Sequence, residues 1–585
     1  MLFEAGVSGY YGNPYYHNIP SMDFGCVTVN YPDGYRKGEL TGLWAGGFAV
    51  MGNNAYIREM KQTELIKYPI GVQSFSKLRE GNYLYVDKTT AMYPIIRDGG
   101  YYFLSRPRRF GKSLLLSTLE AYYLGKRELF KGLALDRLTD DWEPHPVLHL
   151  DLNTGEYASK DDLESLLHFN LLSWEKEYGI DDIPGGERFS PSLRFGNVIK
   201  TACEKTGKKV VILIDEYDKP LLNTIDKPEL ADIYRSQLKA FYGNLKTMDQ
   251  YIEVSVLTGV ARFSKVSIFS DLNNLRDISF DTNFASICGI TSDELDQYFE
   301  QGIERLSEKM KVSVEDTREE LRRRYDGYHF AEESPDIYNP FSLINVFASN
   351  VVRDYWFHTG TPSFLVKLVS KGDYLFRDIA PTIVRRSYLE SAGLLDKNPI
   401  PVFYQSGYLT IKDYIREYDV YRLDYPNDEV RQGFMEFLMQ SYIPETDQGR
   451  GFSVADFLFE VNSGNPEGFM RRMKSLIADV PYGDKGTPED HFQNAVYLLF
   501  TLLGYFTRME DRTSNGRIDL QVETSRYIYL FEFKVDSTAS KAMYQIREKQ
   551  YWLREAVGDK EIFLIGANFD TATRRLTDDI LIEHP

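Results

Sequence analysis

The nine residues Ser105-Arg-Pro-Arg-Arg-Phe-Gly-Lys-Ser113 constrain this chain more than any other stretch. They end as a phosphate cradle ends: in the pattern G-x-x-x-x-G-K-[ST], backbone amides surround phosphates while the lysine and hydroxyl reach the terminal phosphate and Mg²⁺. Gly111, Lys112 and Ser113 fit, but the position of the first glycine is Arg106, followed by Pro107. The flanks support the pattern. Gly100-Tyr-Tyr-Phe-Leu-Ser105 reads as a short aromatic strand, and Lys112 to Tyr123 carries the leucine spacing of a buried helix. A strand, a tight turn and a helix N-terminus bring free amides and the positive end of the helix dipole to one point, which makes an anion site.

The other half of such a site is a buried strand ending in acid, and Val210-Val-Ile-Leu-Ile-Asp215-Glu216 supplies one. Its run of β-formers predicts a central parallel strand covered on both faces. At the C-terminal edge, Asp215 is suited to hold Mg²⁺ through water, and Glu216 to polarise an attacking water. Neither motif means much alone, but in this order and context they predict nucleotide binding. Arg106, Arg108 and Arg109 are then expected to supply the phosphate contacts that missing glycine amides cannot. Phe110 and Leu114 complete the loop and first helical turn, and Ser113 joins Asp215 as a metal ligand.

A second constellation lies near the C-terminus. Asn515-Gly-Arg-Ile-Asp519-Leu and Tyr527-Ile-Tyr-Leu-Phe-Glu532-Phe-Lys534, separated by a turn-like Glu523-Thr-Ser-Arg526, read as two antiparallel strands. The strand period of two puts Glu532 and Lys534 on one face and Phe531, Phe533 and Val535 on the other. Asp519 on the neighbouring strand can meet Glu532, giving two carboxylates for a hard divalent ion. A lysine beside them can orient or deprotonate water and offset charge on a scissile phosphate, which is metal-assisted phosphodiester hydrolysis. Glu489, opening the amphipathic segment Glu489-Asp-His-Phe-Gln-Asn-Ala-Val, is expected to deliver a further carboxylate.

Tyr68-Pro-Ile-Gly-Val-Gln-Ser-Phe75, Tyr85-Val-Asp-Lys-Thr89, Arg106-Pro-Arg-Arg-Phe-Gly-Lys-Ser113, Tyr325-Asp-Gly-Tyr328 and Tyr338-Asn-Pro-Phe341 together resemble bacterial AAA-ATPase-like proteins that carry a C-terminal PD-(D/E)XK nuclease-like domain. The resemblance runs from about residue 65 to the C-terminus. In that family the R-P-R-R-F-G-K-S form is the normal one, which makes Arg106 a family variant rather than damage. The resemblance implies ATP and Mg²⁺ as cofactors, with Mn²⁺ an alternative at the nuclease-like site. It also implies a polar sensor at the end of the strand Glu253-Val-Ser-Val-Leu-Thr258, where Thr258 senses the terminal phosphate and Arg262 approaches it. Ser540-Lys-Ala-Met-Tyr-Gln545 resembles the helix that supplies a supporting glutamine in this nuclease superfamily.

Composition bounds the remaining choices. The 585 residues suffice for several domains, and 43% apolar with 26% charged residues is ordinary for a globular protein. A formal net charge of −18 argues against indiscriminate coating of DNA, which depends on phosphate neutralisation. Basic patches at Arg322-Arg-Arg324 and at Lys541, Arg547, Lys549 and Arg554 are candidates for a local groove, against the plainer reading of solvated helix faces. Three widely spaced cysteines indicate neither a disulfide framework nor a zinc site. The longest apolar run, Ala495 to Phe506, is too short to span a bilayer, and no secretory pattern opens the chain. No membrane association and a cytoplasmic location are expected.

The expected fold class is α/β: a P-loop NTPase core with a parallel sheet, a helical lid and connector, and a C-terminal α/β restriction-endonuclease-like domain. The boundaries read as a poorly ordered N-terminal extension at 1–64, a misplaced start codon being one explanation, then the ATPase core at 65–285, lid at 286–400, mixed connector at 401–480 and nuclease-like module at 481–585. The expected function is ATP binding and hydrolysis gating a Mg²⁺-dependent nuclease that acts on DNA or RNA. The alternative is an ATP-dependent switch or scaffold whose nuclease-like domain binds nucleic acid or a protein partner without cutting. An oligomer is compatible with either.

Overall fold

The structure is a computed structural model. It describes residues 66–585 except 181–188, 225, 262–268, 270–271, 357–378, 392–398, 435–453, 480–495, 497–505, 514–515, 554–559 and 574, and within the first 65 residues two strands. Arg262, Glu489 and Arg554 therefore lie outside the described residues, as does most of the 1–64 segment. The chain divides into two units, Met1–Lys67 and Tyr68–Pro585. In the first, β1 (Cys26–Val29) pairs antiparallel with β2 (Gly38–Thr41).

The second unit begins around a five-stranded sheet of β3 (Gly100–Ser105), β4 (Val147–Asp151), β5 (Val210–Asp215), β6 (Ile252–Gly259) and β7 (Leu275–Asp277), in the order β4-β5-β6-β3-β7. Every pairing is parallel. All six residues of β5 are buried, as a strand covered on both faces requires. Its alternate side chains enter two cores. Val211 and Leu213 pack with Leu115, Leu116 and Leu119 of the helix Lys112–Tyr123. Val210, Ile212 and Ile214 pack with Leu171, Phe195 and Leu238 of the helices Asp162–Glu177, Pro191–Thr206 and Pro228–Tyr242.

Topology places the two motif-bearing strands. β6 lies between β3 and β5, so the phosphate loop and the acidic turn flank the end of β6 at the same C-terminal sheet edge. In open parallel sheets that edge is where ligands bind.

Three helices follow, Ser292–Met310, Val314–Tyr325 and Pro340–Ser349. The first starts in a reciprocal capping box between Thr291 and Glu294, and the last has Asn339 as N-cap with Pro340 directly after. The basic run Arg322-Arg-Arg324 ends the second helix, and each of its arginines faces a carboxylate: Glu319, Glu320, Asp354 or Asp428. That leaves it poorly suited to a nucleic-acid groove. A small antiparallel sheet, β8 (Thr382–Arg385), β9 (Thr410–Ile415) and β10 (Val420–Asp424), has the order β8-β10-β9, so a division at residue 400 passes through one sheet.

The C-terminal sheet is mixed: β11 (Phe506–Thr513), β12 (Gly516–Glu523), β13 (Tyr527–Val535), β14 (Glu561–Asp570) and β15 (Arg575–Glu583) in sequential order. Only β13 and β14 are parallel, and the helix Ala539–Lys549 is their crossover. Gly566 of β14 has no room for a Cβ, which would lie 2.9 Å from both Ala539 O and Met543 N, so the helix seats directly on the strand. The helices Val454–Ser463 and Pro466–Asp479 pack on this sheet. Tyr529 donates to Val461 O at 2.6 Å, and the Phe469 and Tyr529 rings meet edge-on at 5.0 Å.

Candidate functional site

At the end of β3 the chain turns through residues 106–111 into the helix Lys112–Tyr123, whose N-cap Gly111 has φ +96°, a conformation that favours glycine. Lys112 is 4% exposed, and its Nζ donates to Arg106 O at 3.1 Å and Pro107 O at 3.2 Å, with Glu216 Oε1 at 3.8 Å. The ammonium is thus held on two carbonyls beside one carboxylate at the loop centre.

Beside it opens a cavity of about 360 Å³ lined by Arg108, Arg109, Phe110, Gly111, Lys112, Ser113, Leu114 and Glu216. The wall beyond includes Val72 and Tyr85 from the segment before β3, Gly289 and Ile290 after the sheet, and Phe341 and Ile344 of the helix Pro340–Ser349. Arg109 lies with its guanidinium 4.4 Å from the Phe341 ring centroid, linking the loop to that helix. The lining thus brings together nearly all the loop residues expected to surround a nucleotide.

Arg106 is the exception, and the expectation that it contacts phosphate is corrected. It is 1% exposed and turned into the protein, where Nη1 donates to Ser105 O at 2.8 Å and Ser279 O at 2.9 Å, and Nη2 to Phe284 O at 3.1 Å. The Phe330 ring covers it, with the guanidinium carbon 4.2 Å from the centroid. Where a glycine would leave a gap, this arginine braces the loop base against the segment after β7.

Asp215 and Thr258 meet as the strand order requires. Thr258 Oγ1 donates to Asp215 Oδ1 at 2.6 Å, and the same oxygen accepts from Glu216 N at 2.9 Å. Glu216 adopts φ +51°, uncommon for a residue with a Cβ, and this turns its carboxylate toward Lys112. Asp218 went unnoticed in the sequence. It is buried, its Oδ2 accepts from Val260 N at 3.0 Å and Ala261 N at 2.5 Å, and its Oδ1 has no hydrogen-bond partner. Burial and then the Glu216 charge raise its pKa to about 7. Lys88, within the Tyr85–Thr89 motif, also lines the cavity, as do Lys219 and Asn153, which no motif marked.

The loop is tied to the chain beyond the helices as well. Trp356 Nε1 donates to Arg108 O at 3.0 Å. Tyr355 N and Trp356 N donate to Glu429 Oε1 at 2.5 and 2.7 Å, and Ser342 Oγ to Glu429 Oε2 at 2.7 Å. Gly407, at φ +87°, leaves only 2.7 Å between a Cβ placed there and the Pro107 ring. These contacts span some three hundred residues of sequence, which no local pattern reveals.

The C-terminal constellation assembles on β12, β13 and the crossover helix. The ladder pairs Leu520 with Phe531, so the next residues outward, Asp519 and Glu532, stand opposite. Asp519 Oδ2 accepts from Phe533 N at 2.8 Å. Glu532 is 1% exposed; Lys534 Nζ donates to its Oε1 at 2.8 Å and to Gln545 Oε1 at 2.7 Å, while Gln545 Nε2 donates to Tyr551 OH at 3.3 Å. Burial, and then the nearby Asp519 charge, raise the Glu532 pKa to about 7. Its Oε2 is buried without a hydrogen-bond partner. A divalent cation between Glu532 and Asp519 would satisfy that oxygen and relieve the repulsion, so the donors fit one. Among the described residues no group of three His, Cys, Asp or Glu side chains forms a metal cluster, and Glu489 is not among them.

Comparison with known proteins agrees with this division. A family described as "Predicted AAA-ATPase" matches residues 69–269, and the PD-(D/E)XK nuclease superfamily matches residues 487–579. A protein of Azotobacter chroococcum mcd 1, described as "Uncharacterized protein in vnfD 5′region", is 36% identical over 519 residues, covering 87% of this chain and 97% of its own. No helix among the described residues is long and apolar enough to cross a membrane.

Proposed function

The chain belongs to the family of the Azotobacter chroococcum protein, joining an AAA-ATPase-like domain to a PD-(D/E)XK nuclease-like domain, and from that premise we propose an ATPase that gates a metal-dependent nuclease. The observation that carries the ATP half is the cavity beside Lys112, with loop cations, the Ser113 hydroxyl and Glu216 converging on it. Mg²⁺ bound with the nucleotide supplies charge neutralisation, and Ser113 and Asp215 are the residues that would hold it. Thr258 keeps Asp215 oriented, Lys112 offsets phosphate charge, and Glu216 orients the attacking water.

For the nuclease half, Asp519 and Glu532 are the residues that would hold Mg²⁺ or Mn²⁺, whose role when bound is to polarise the scissile phosphate. Lys534, held between Glu532 and Gln545, is in position to orient water or to stabilise developing charge. The bond from Trp356 to the phosphate loop supports the gating step, because a loop that shifts on nucleotide binding would pull on the chain leading to the C-terminal half.

The test is nicking of supercoiled plasmid, and cleavage of labelled RNA, by the full chain in Mg²⁺ or Mn²⁺ with and without ATP. Cleavage that changes with ATP, vanishes in Lys534→Ala and loses its ATP response in Lys112→Ala supports the reading. Binding of nucleic acid without cleavage in either metal transfers support to a switch that binds and does not cut.

A further inference from the structure

Two cations line the cavity from separate segments of the chain. Arg108 comes from the phosphate loop and Lys219 from the turn that follows Asp215 and Glu216; both line the cavity. Among the described residues neither side chain has a hydrogen bond or an ion pair, unlike Lys112, Lys88 and Arg106, which all have partners. Arg109 is turned toward Phe341. Burial, and then the charge of Arg108, hold the Lys219 pKa below its ordinary value, against the opposing pull of Glu216, Asp218 and Asp151. Those carboxylates offset the repulsion only in part, since the net shift is still downward, and an anion between the two cations would relieve what remains.

The position of Lys219 says which part of a nucleotide that anion is. Lys112 anchors the loop end of the cavity, and Glu216, to which the reading above gives the orientation of the attacking water, stands three residues before Lys219. On that reading a side chain from this segment is placed for the phosphate that is attacked rather than for those nearer the ribose.

We propose that Lys219 and Arg108 bracket the terminal phosphate of the bound nucleoside triphosphate, with Lys219 the catalytic cation that distinguishes triphosphate from diphosphate. The proposal rests on the nucleotide-binding reading above and adds a residue that the phosphate-loop motif does not contain. In hydrolysis the bond between the bridging oxygen and the terminal phosphorus breaks and one from the water oxygen to that phosphorus forms. The diphosphate leaves with the bond's electron pair, and the water's proton passes to Glu216 or to the phosphate released. Charge builds on the oxygens between Lys219 and Arg108 during this step, where fixed cations act most strongly.

The test compares Lys219→Met with Lys219→Arg in the full chain. Affinities for ATPγS and ADP with Mg²⁺ are measured by calorimetry, and turnover by phosphate release. Lys219→Met is expected to weaken ATPγS about tenfold or more while leaving ADP nearly unchanged, and to lower kcat by about tenfold or more, with Lys219→Arg restoring much of both. Equal losses for ATPγS and ADP, or unchanged kcat in a folded Lys219→Met protein, would overturn the proposal. Wild-type protein that binds neither nucleotide would instead defeat the ATPase reading and this bracket with it, a result separable because no variant is needed to see it.

Discussion

The indole Nε1 of Trp356 and the backbone carbonyl of Arg108 are joined by a hydrogen bond of 3.0 Å across 248 residues of sequence. It ties the phosphate loop to the segment that follows the helix Pro340–Ser349. Trp356→Phe keeps an aromatic ring but loses the pyrrole ring and its donor, leaving the Arg108 carbonyl without this partner and a gap beside it, at a cost of about 2 kcal/mol. The expected outcome is a folded protein that still binds ATPγS but whose cleavage no longer responds to it. Parallel nucleotide-affinity and plasmid-nicking measurements check this, and an ATP response identical to wild type would separate this bond from gating.

Glu429 holds the backbone of Tyr355 and Trp356 on one oxygen and Ser342 on the other. Burial raises its pKa to about 7, despite those hydrogen bonds; the nearby Asp354 charge adds to the effect. The sign follows from proton counts. Between the ordinary carboxylate range and about 7 the folded state binds more protons than the unfolded one, so the stabilising contribution is complete at the acid end of that window. It is lost as pH rises through the window. Glu429→Gln is expected to remove this slope, and urea unfolding across the window reads it as a wild-type advantage that shrinks with rising pH. A constant difference would rule out titration of Glu429 as its source.

Arg106 is expected to matter for stability rather than for affinity. Its guanidinium donates to three main-chain carbonyls in the interior, and Arg106→Met leaves all three without that donor. The loss should be about 3 kcal/mol or more, measured by chemical denaturation. At temperatures where the variant is folded, its preference for ATPγS over ADP should match wild type. A selective loss of ATPγS affinity would return Arg106 to the phosphate site.

At the C-terminal centre, metal binding and chemistry should separate. Mn²⁺ is expected to raise the Tm of the wild-type protein, and Glu532→Gln, which removes the charge but retains the shape, is expected to abolish that rise. Lys534→Met should keep that rise, since lysine holds no metal, while losing cleavage. Differential scanning calorimetry beside a nicking assay distinguishes the two. A Mn²⁺ shift that survives Glu532→Gln would place the ion elsewhere.

Much of the fold was legible because local pattern and tertiary role coincide. Gly100–Ser105 and Val210–Asp215 are strands where apolar β-formers cluster, Lys112–Tyr123 is a helix where leucine spacing put it, and Ile252–Gly259 and Ala539–Lys549 are the strand and helix that the family resemblance implied. Alternation along β13 correctly brought Glu532 and Lys534 together, because a strand's period of two leaves no freedom in the matter. Domain divisions were less legible. β8 joins β10 across residue 400, and the helices Val454–Ser463 and Pro466–Asp479 pack on the nuclease-like sheet, because pairing and burial act between segments that composition treats as separate.

The chain's own order of residues determined that a phosphate loop, an acidic strand and a two-carboxylate hairpin would exist, since each is a short-range pattern with a period or spacing of its own. Only the tertiary structure decided what surrounds them. Placing β6 between the two motif strands brought Thr258 onto Asp215, and burial drew Arg106 inward from the phosphates. Long-range packing set Lys219 at the cavity and Trp356 on the loop. The physical reason is that charge, burial and hydrogen-bond partners are properties of neighbours in space, and for these residues the deciding neighbours are tens to hundreds of positions away in sequence.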